Sequence, residues 1–92
     1  METITFNGTV TEAAGAATHL SIAGATHFFF SKTYTSDFSE PLNLEPGNYQ
    51  VFVSVFTTGK FSFDVRGNFS SINPPVPDAY DTKTNETYSL TV

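Results

Sequence analysis

His19 and His27 are the two imidazoles of a chain that contains no cysteine, so any metal or nucleophile chemistry must begin with them or with the carboxylates. With Ala23-Gly24-Ala25 as a three-residue hairpin loop and Gly24 near the left-handed region, Leu20, Ile22 and Phe28 share one face. His19, Ser21, His27 and Phe29 then share the other, with the histidines diagonal neighbours. A two-residue loop would instead bury His27 beside Leu20 and Ile22, which costs more unless the ring is hydrogen-bonded. Two imidazoles fall short of the three protein ligands of a catalytic zinc or the four of a structural one, and no acid lies close in sequence. Exposed or hydrogen-bonded histidines are therefore expected. No G-x-S-x-G occurs to frame a serine nucleophile. Asp37 with Glu40 and Asp78 with Asp81 are carboxylate pairs of the kind that hydrolyse glycosides, but both sit in polar segments where solvent stabilises the ionised form. Asp78, Asp81, Asn85 and Glu86 form an oxygen-rich group with calcium as the candidate ion, though without the spacing and central glycine of an EF-hand loop. No other cofactor is expected, and the inventory points away from catalysis.

The aromatic residues carry more information. In 49–56, Tyr49, Val51, Val53 and Val55 line one face of a strand, and Gln50, Phe52, Ser54 and Phe56 line the other. Burying one phenylalanine is worth about 1.5–3 kcal/mol, so Phe52 and Phe56 on the second face are a surplus that wants a cover. Phe29, Tyr34, Phe52, Phe56 and Tyr80 are the candidate ligand-binding residues. With amide and hydroxyl neighbours they suit a sugar face, and the same rings suit protein contact. Phenylalanine outnumbers tyrosine and tryptophan is absent, which favours core filling for most of the rings.

The elements that position these residues read as strands. Thr3 to Thr11 alternates strictly, with Ile4, Phe6, Gly8 and Val10 on one side. The small-residue stretch 12–17 reads as a turn, and a second strand follows from Thr18 to Ile22. Residues 35 to 41 are too polar for a central strand and Pro41 lacks a donor, so they form a loop or an edge. Glu45-Pro46-Gly47-Asn48 has strong turn chemistry, with Gly47 at positive φ. Thr57-Thr58-Gly59-Lys60 turns the chain again, and Phe61, Phe63 and Val65 share a face. Gly67 to Ser71 is a short strand, Ile72 to Asp78 an extended proline-rich stretch, and Asp78 to Glu86 a polar loop. Tyr88, Leu90 and Val92 alternate to the end, which pins that end in a sheet. About seven strands with frequent turns imply an all-β, single-domain antiparallel β-sandwich over residues 1–92, with a small barrel as the alternative.

Ninety-two residues suffice for one core. The net charge of −5, with Lys32, Lys60, Arg66 and Lys83 as the cations, cannot neutralise a phosphate backbone and disfavours anionic membranes. No apolar run approaches the roughly 20 residues of a membrane span. The chain enters strand alternation at once, with no basic and apolar leader, which suits a cytoplasmic protein, or an extracellular or cell-surface one whose leader has been removed. Asn7-Gly8-Thr9, Asn68-Phe69-Ser70 and Asn85-Glu86-Thr87 match the N-glycosylation pattern, of which some matches arise by chance in a chain so rich in serine and threonine.

The segment Leu44-x-Pro46-Gly47-x-Tyr49-x-Val51-x-Val53 resembles the corresponding strand of carboxypeptidase regulatory-like and Cna-B-type modules, prealbumin-like β-sandwiches. Phe6-Asn7-Gly8-Thr9-Val10-Thr11 looks like their opening strand, with Gly15 where they place a loop glycine. Gly67 to Asp78 has no counterpart in that pattern. No lysine occupies an early apolar strand, so isopeptide chemistry does not carry over. The resemblance implies an Ig-like or prealbumin-like Greek key that serves as a non-catalytic spacer, adhesion unit or binding appendage. The expected partner is protein, either another copy in a homo-oligomer or a neighbouring domain, reached through an aromatic patch or a sheet edge short of charge. A glycan, with or without calcium, is the alternative.

Overall fold

Period-2 alternation in the sequence becomes strand throughout. A computed structural model describes residues 1–11, 17–24, 27–56, 60–80 and 85–92. These hold nine strands and no helix: β1 Glu2–Thr11, β2 Ala17–Gly24, β3 Phe29–Tyr34, β4 Phe38–Leu44, β5 Asn48–Phe56, β6 Lys60–Arg66, β7 Ser71–Asn73, β8 Asp78–Tyr80 and β9 Asn85–Thr91. They form a four-stranded sheet in the order β4-β1-β6-β8 and a five-stranded sheet in the order β3-β2-β5-β9-β7. Every pairing is antiparallel, and the two sheets pack as a sandwich.

The segment between Gly67 and Glu86 differs most from expectation: residues 67–70 lie outside any strand, and the short strand expected at Gly67 to Ser71 stands at Ser71–Asn73 instead. Ser71–Asn73 pairs with β9, and Asp78–Tyr80 pairs with β6. The chain thus passes from the four-stranded sheet to the five-stranded one and back within a few residues. Prolines 74, 75 and 77 separate the two short ladders, as residues without a donor must. What reads as a polar loop from Asp78 onward is therefore β8 and the start of β9, with residues 81–84 outside the described part.

The β2–β3 hairpin differs from the expected one in register. Ile22 lies opposite Phe30 and Ala23 opposite Phe29, so the connection is longer than the loop at 23–25. Gly24 ends β2, and the left-handed residue is His27, with φ 62°. Because the offset is even, the faces are kept: Leu20, Ile22 and Phe30 point inward, and His19, Ser21 and Phe29 outward.

Gly47 behaves as the turn requires, at φ 153° with open space where a Cβ would stand. Its N–H and C=O exchange hydrogen bonds with Val92 at 3.0 and 2.9 Å, which fastens the last residue to the β4–β5 turn.

The inner faces supply the core: Ile4 and Phe6 from β1, Phe61, Phe63 and Val65 from β6, Leu20 and Ile22 from β2, Val51, Val53 and Val55 from β5, and Tyr88 and Leu90 from β9, all buried. Of the chain's ten phenylalanines, Phe6, Phe38, Phe61 and Phe63 are buried, and Phe28, Phe30 and Phe69 are partly buried against them. The remaining three are exposed.

The edge strands β3, β4 and β8 each carry a single charged residue, at an inward position, and β7 carries none. Glu40 sits at an inward position of β4 next to Pro41, and Lys32 reaches it from β3 at 3.4 Å. Asp78 points inward from β8, and both β7 and β8 are only three residues long. Inward charges, proline and short length are the devices that keep edge strands from pairing with other chains.

Candidate functional site

The outer face of the five-stranded sheet is built from the outward residues of each strand. Register sets them in rows: Thr33, His19, Ser54 and Asn85, then Ser31, Ser21, Phe52 and Thr87, then Phe29, Ala23, Gln50, Ser89 and Asn73. Phe56 stands opposite Ala17 at one end, and Asn48, Thr91 and Ser71 form the row at the other. No Asp, Glu, Lys or Arg belongs to this face among the described residues. Phe29 is 71% exposed, Phe52 43% and Phe56 77%, and the other large apolar residue this exposed is Met1.

The polar groups of the face are largely engaged with each other. Both ring nitrogens of His19 are held by hydroxyls, Nδ1 by Thr33 Oγ1 and Nε2 by Ser31 Oγ, each at 2.8 Å. Ser54 donates to Asn85 Oδ1 at 2.7 Å, and Thr91 donates to Asn48 Oδ1 at 3.0 Å. The result is a lattice of hydroxyl, amide and imidazole bonds from which three rings project.

Those rings do not touch. Phe52 and Phe56 are four residues apart on one strand, about 13 Å at the usual strand rise. Phe29 lies two strands across and one row along from Phe52, about 12 Å away. They are three separate anchors on one face and not a joined aromatic cluster.

Tyr34 and Tyr80, grouped with those rings on sequence, are placed elsewhere. Tyr80 is 3% exposed, its ring packed against Phe61 at 5.4 Å. Its hydroxyl bonds that of Tyr88, which donates to Asp78 Oδ2 at 2.8 Å. Burial pushes the Tyr80 and Tyr88 hydroxyls well above the ordinary value of 10, and for Tyr88 the bonds to Tyr80 and Asp78 add to the rise. Tyr34 stacks on Phe38 with ring centroids 4.0 Å apart and donates to Glu40 at 2.7 Å. Its own hydroxyl is pushed up by burial and by that carboxylate. Both tyrosines are parts of the closure of the sandwich, because their alternation places them inward.

The carboxylates serve structure as well. Asp37 Oδ1 accepts from the Val10 N–H at 2.8 Å, Glu40 takes the Tyr34 hydroxyl and Asp78 takes that of Tyr88. Of the calcium candidates, Asp78 points inward, Asn85 lies on the outer face bonded to Ser54, Glu86 lies opposite the inward-facing Val53, and Asp81 is outside the described residues. Asn85 and Glu86 are neighbours on a strand and so point to opposite sides. No group of three or more metal-ligating side chains occurs among the described residues. His27 lies beyond the end of β2, five or more residues along from His19, or about 17 Å at the strand rise.

Comparison of the chain with protein-family models, with curated proteins and with solved structures gave no match.

One cavity of about 180 Å³ lies at the end of the sandwich, between Gly24, Phe28 and Tyr49 and the turn 45–48. Drug-sized ligand sites run from about 300 Å³ upward. Phe28 meets Tyr49 edge-on at 5.7 Å, and Tyr49 donates to the Glu45 carbonyl at 2.7 Å, so both lining rings are committed to holding the turn. Of the five candidate rings, Phe29, Phe52 and Phe56 are the ones the structure exposes on one face. That Ser31, Thr33 and Asn85 share the face does not show in any one strand's pattern, since only cross-strand register brings them together.

Proposed function

We propose that the chain is a non-catalytic interaction module that packs on a protein partner through the outer face of its five-stranded sheet. The observation that carries this reading is that the three exposed phenylalanines all stand on that one face, and that no Asp, Glu, Lys or Arg joins them there among the described residues. Interface cores are depleted of charge and enriched in aromatic anchors. The molecule measures 37 × 22 × 17 Å, so a broad face covers at most about 800 Å², close to one side of a standard interface. The guarded edges make the face, and not an edge, the route to a partner. The likeness of 44–53 to non-catalytic prealbumin-like modules supports the same kind of role.

A carbohydrate-binding role for the same face, calcium-assisted or not, is the second reading. It draws on Phe52, a ring flanked by the Ser21 and Thr87 side chains. A photo-reactive phenylalanine analogue at 29, 52 or 56, set against the analogue at Thr9 or Ser62 on the opposite face, separates the two in cells that make the protein. The proposed role expects protein adducts from the first set alone. Equal adducts from both sets would defeat it. So would adducts from neither set, and glycan-array binding alongside that silence would favour the sugar.

A further inference from the structure

We infer that the partner of this face is a second copy of the chain, docked face to face about a twofold axis that runs through Phe52. The inference rests on the reading above and adds the occupant and its symmetry. Charge is the first reason. The chain carries −5, yet no Asp, Glu, Lys or Arg stands on this face among the described residues, and the imidazole that does, His19, is held by two hydroxyls. A basic partner would call for acids here, and an acidic one for bases. A neutral surface is matched by another neutral surface, and two copies stacked on it keep their acids off the contact and out of the low-dielectric interface.

The placement of the rings is the second reason. In a face-to-face dimer the twofold axis lies in the plane of contact, and each point on one copy meets its mirror position across that axis on the other. An axis through Phe52 can bring Phe29 onto Phe56 only if those two rings are equally far from it. The register sets them about 12 and 13 Å from Phe52, on different sides of it. One rotation therefore seats Phe52 on its own copy, Phe29 on Phe56 and Phe56 on Phe29, so all six rings find a ring in a single closed contact. The area available is the third: up to about 800 Å² from each copy reaches the size of a specific interface, with six rings to fill its centre.

The chain lacks cysteine, so single thiols report cleanly. Purified Phe52→Cys treated with a short bis-maleimide should form a covalent dimer, several-fold faster than Ser62→Cys on the outer face of the four-stranded sheet. Phe29→Cys and Phe56→Cys should cross-link poorly alone and well when mixed. Sedimentation of the unmodified chain over a concentration series should approach twice the monomer mass, and Phe52→Lys should hold it at the monomer with its circular dichroism unchanged. A wild-type monomer at the highest concentration, or equal cross-linking at 52 and 62, would overturn the inference. If the photo-reactive residue at 52 then still gave adducts with a different protein in cells, the second copy would be excluded while the binding face stood. If it gave none, both would fall.

Discussion

The two outer faces of this sandwich come from the same kind of sequence and end in different surfaces. On the four-stranded sheet the outward positions are Thr3, Thr5, Asn7 and Thr9 of β1, Ser39, Pro41 and Asn43 of β4, and Lys60, Ser62, Asp64 and Arg66 of β6. Hydroxyls and amides are interrupted there by an Asp64–Arg66 ion pair and by Lys60, and no large ring is exposed. The five-stranded sheet has a similar hydroxyl and amide background, with three phenylalanines in place of the charges. A surface meant only for water has every reason to carry charge in a domain this acidic. What the contrast teaches is that exposure of an apolar ring becomes informative when a matched face of the same molecule shows how such a strand is dressed otherwise.

The contrast would break if the exposed rings held the fold together. Phe63 is fully buried, packed against Phe6 and Tyr88, and Phe63→Ala should cost about 3–5 kcal/mol, a large share of a small domain's stability. Phe56→Ala, at 77% exposure, should stay within about 0.5 kcal/mol in the monomer. Urea titration of both variants decides it. A comparable loss at Phe56 would mean that the ring is structural and that the two faces differ for no functional reason.

A second test asks whether both faces ride on one core. The Asp78–Tyr88–Tyr80 chain ties β8 of the four-stranded sheet to β9 of the five-stranded one. Tyr88→Phe takes the Tyr88 hydroxyl from both Tyr80 and Asp78 and should cost about 1–3 kcal/mol. The folded chain holds Tyr34, Tyr80 and Tyr88 protonated above their ordinary value of 10. The unfolded chain therefore releases those protons first as pH rises. The stability they contribute is complete below pH 10 and is lost as pH climbs beyond it. Alkaline unfolding should be cooperative in the wild type and less steep in Tyr88→Phe. Two separate transitions would show that the sheets, and with them the faces, melt independently.

Much of this arrangement was legible in the strand alternation. Tyr49, Val51, Val53 and Val55 gave the inner face of β5 and left Phe52 and Phe56 outside, because period 2 alone decides sides. The turn at Pro46-Gly47 and the edge position of Pro41 followed from backbone chemistry. Gly24 suits a left-handed turn because it has no Cβ, yet His27 holds that conformation and the β2–β3 connection is longer than a loop at 23–25. The β7 and β8 ladders were hidden because each is three residues long and bounded by prolines, too short for a period to show. Tyr34 and Tyr80 looked like surface rings because an edge segment rich in Ser, Thr and Asp reads as a loop. Whether a residue lies on the neutral face depends on cross-strand register, and one strand's pattern carries no record of its neighbours.

The smallest expected effect on stability gives the sharpest reading of the two faces. Thr87 stands directly opposite Phe52, and Ser62 holds an exposed position opposite Thr9 on the other sheet. Lysine at either site keeps the backbone ladder and meets solvent, so Thr87→Lys and Ser62→Lys should each change monomer stability by no more than about 1 kcal/mol, the span of strand propensities. Their effects on association should differ completely. A cation beside Phe52 would be buried without a partner charge in any complex made through that face, and in a symmetric dimer two such cations would meet near the axis. The lysine at 62 adds one more charge to a face that already carries Lys60, Asp64 and Arg66. Sedimentation at equal concentration should therefore find Thr87→Lys monomeric and Ser62→Lys indistinguishable from the wild type. If the two variants behave alike, the charge-free face has no privileged part in assembly, and its three rings need another explanation.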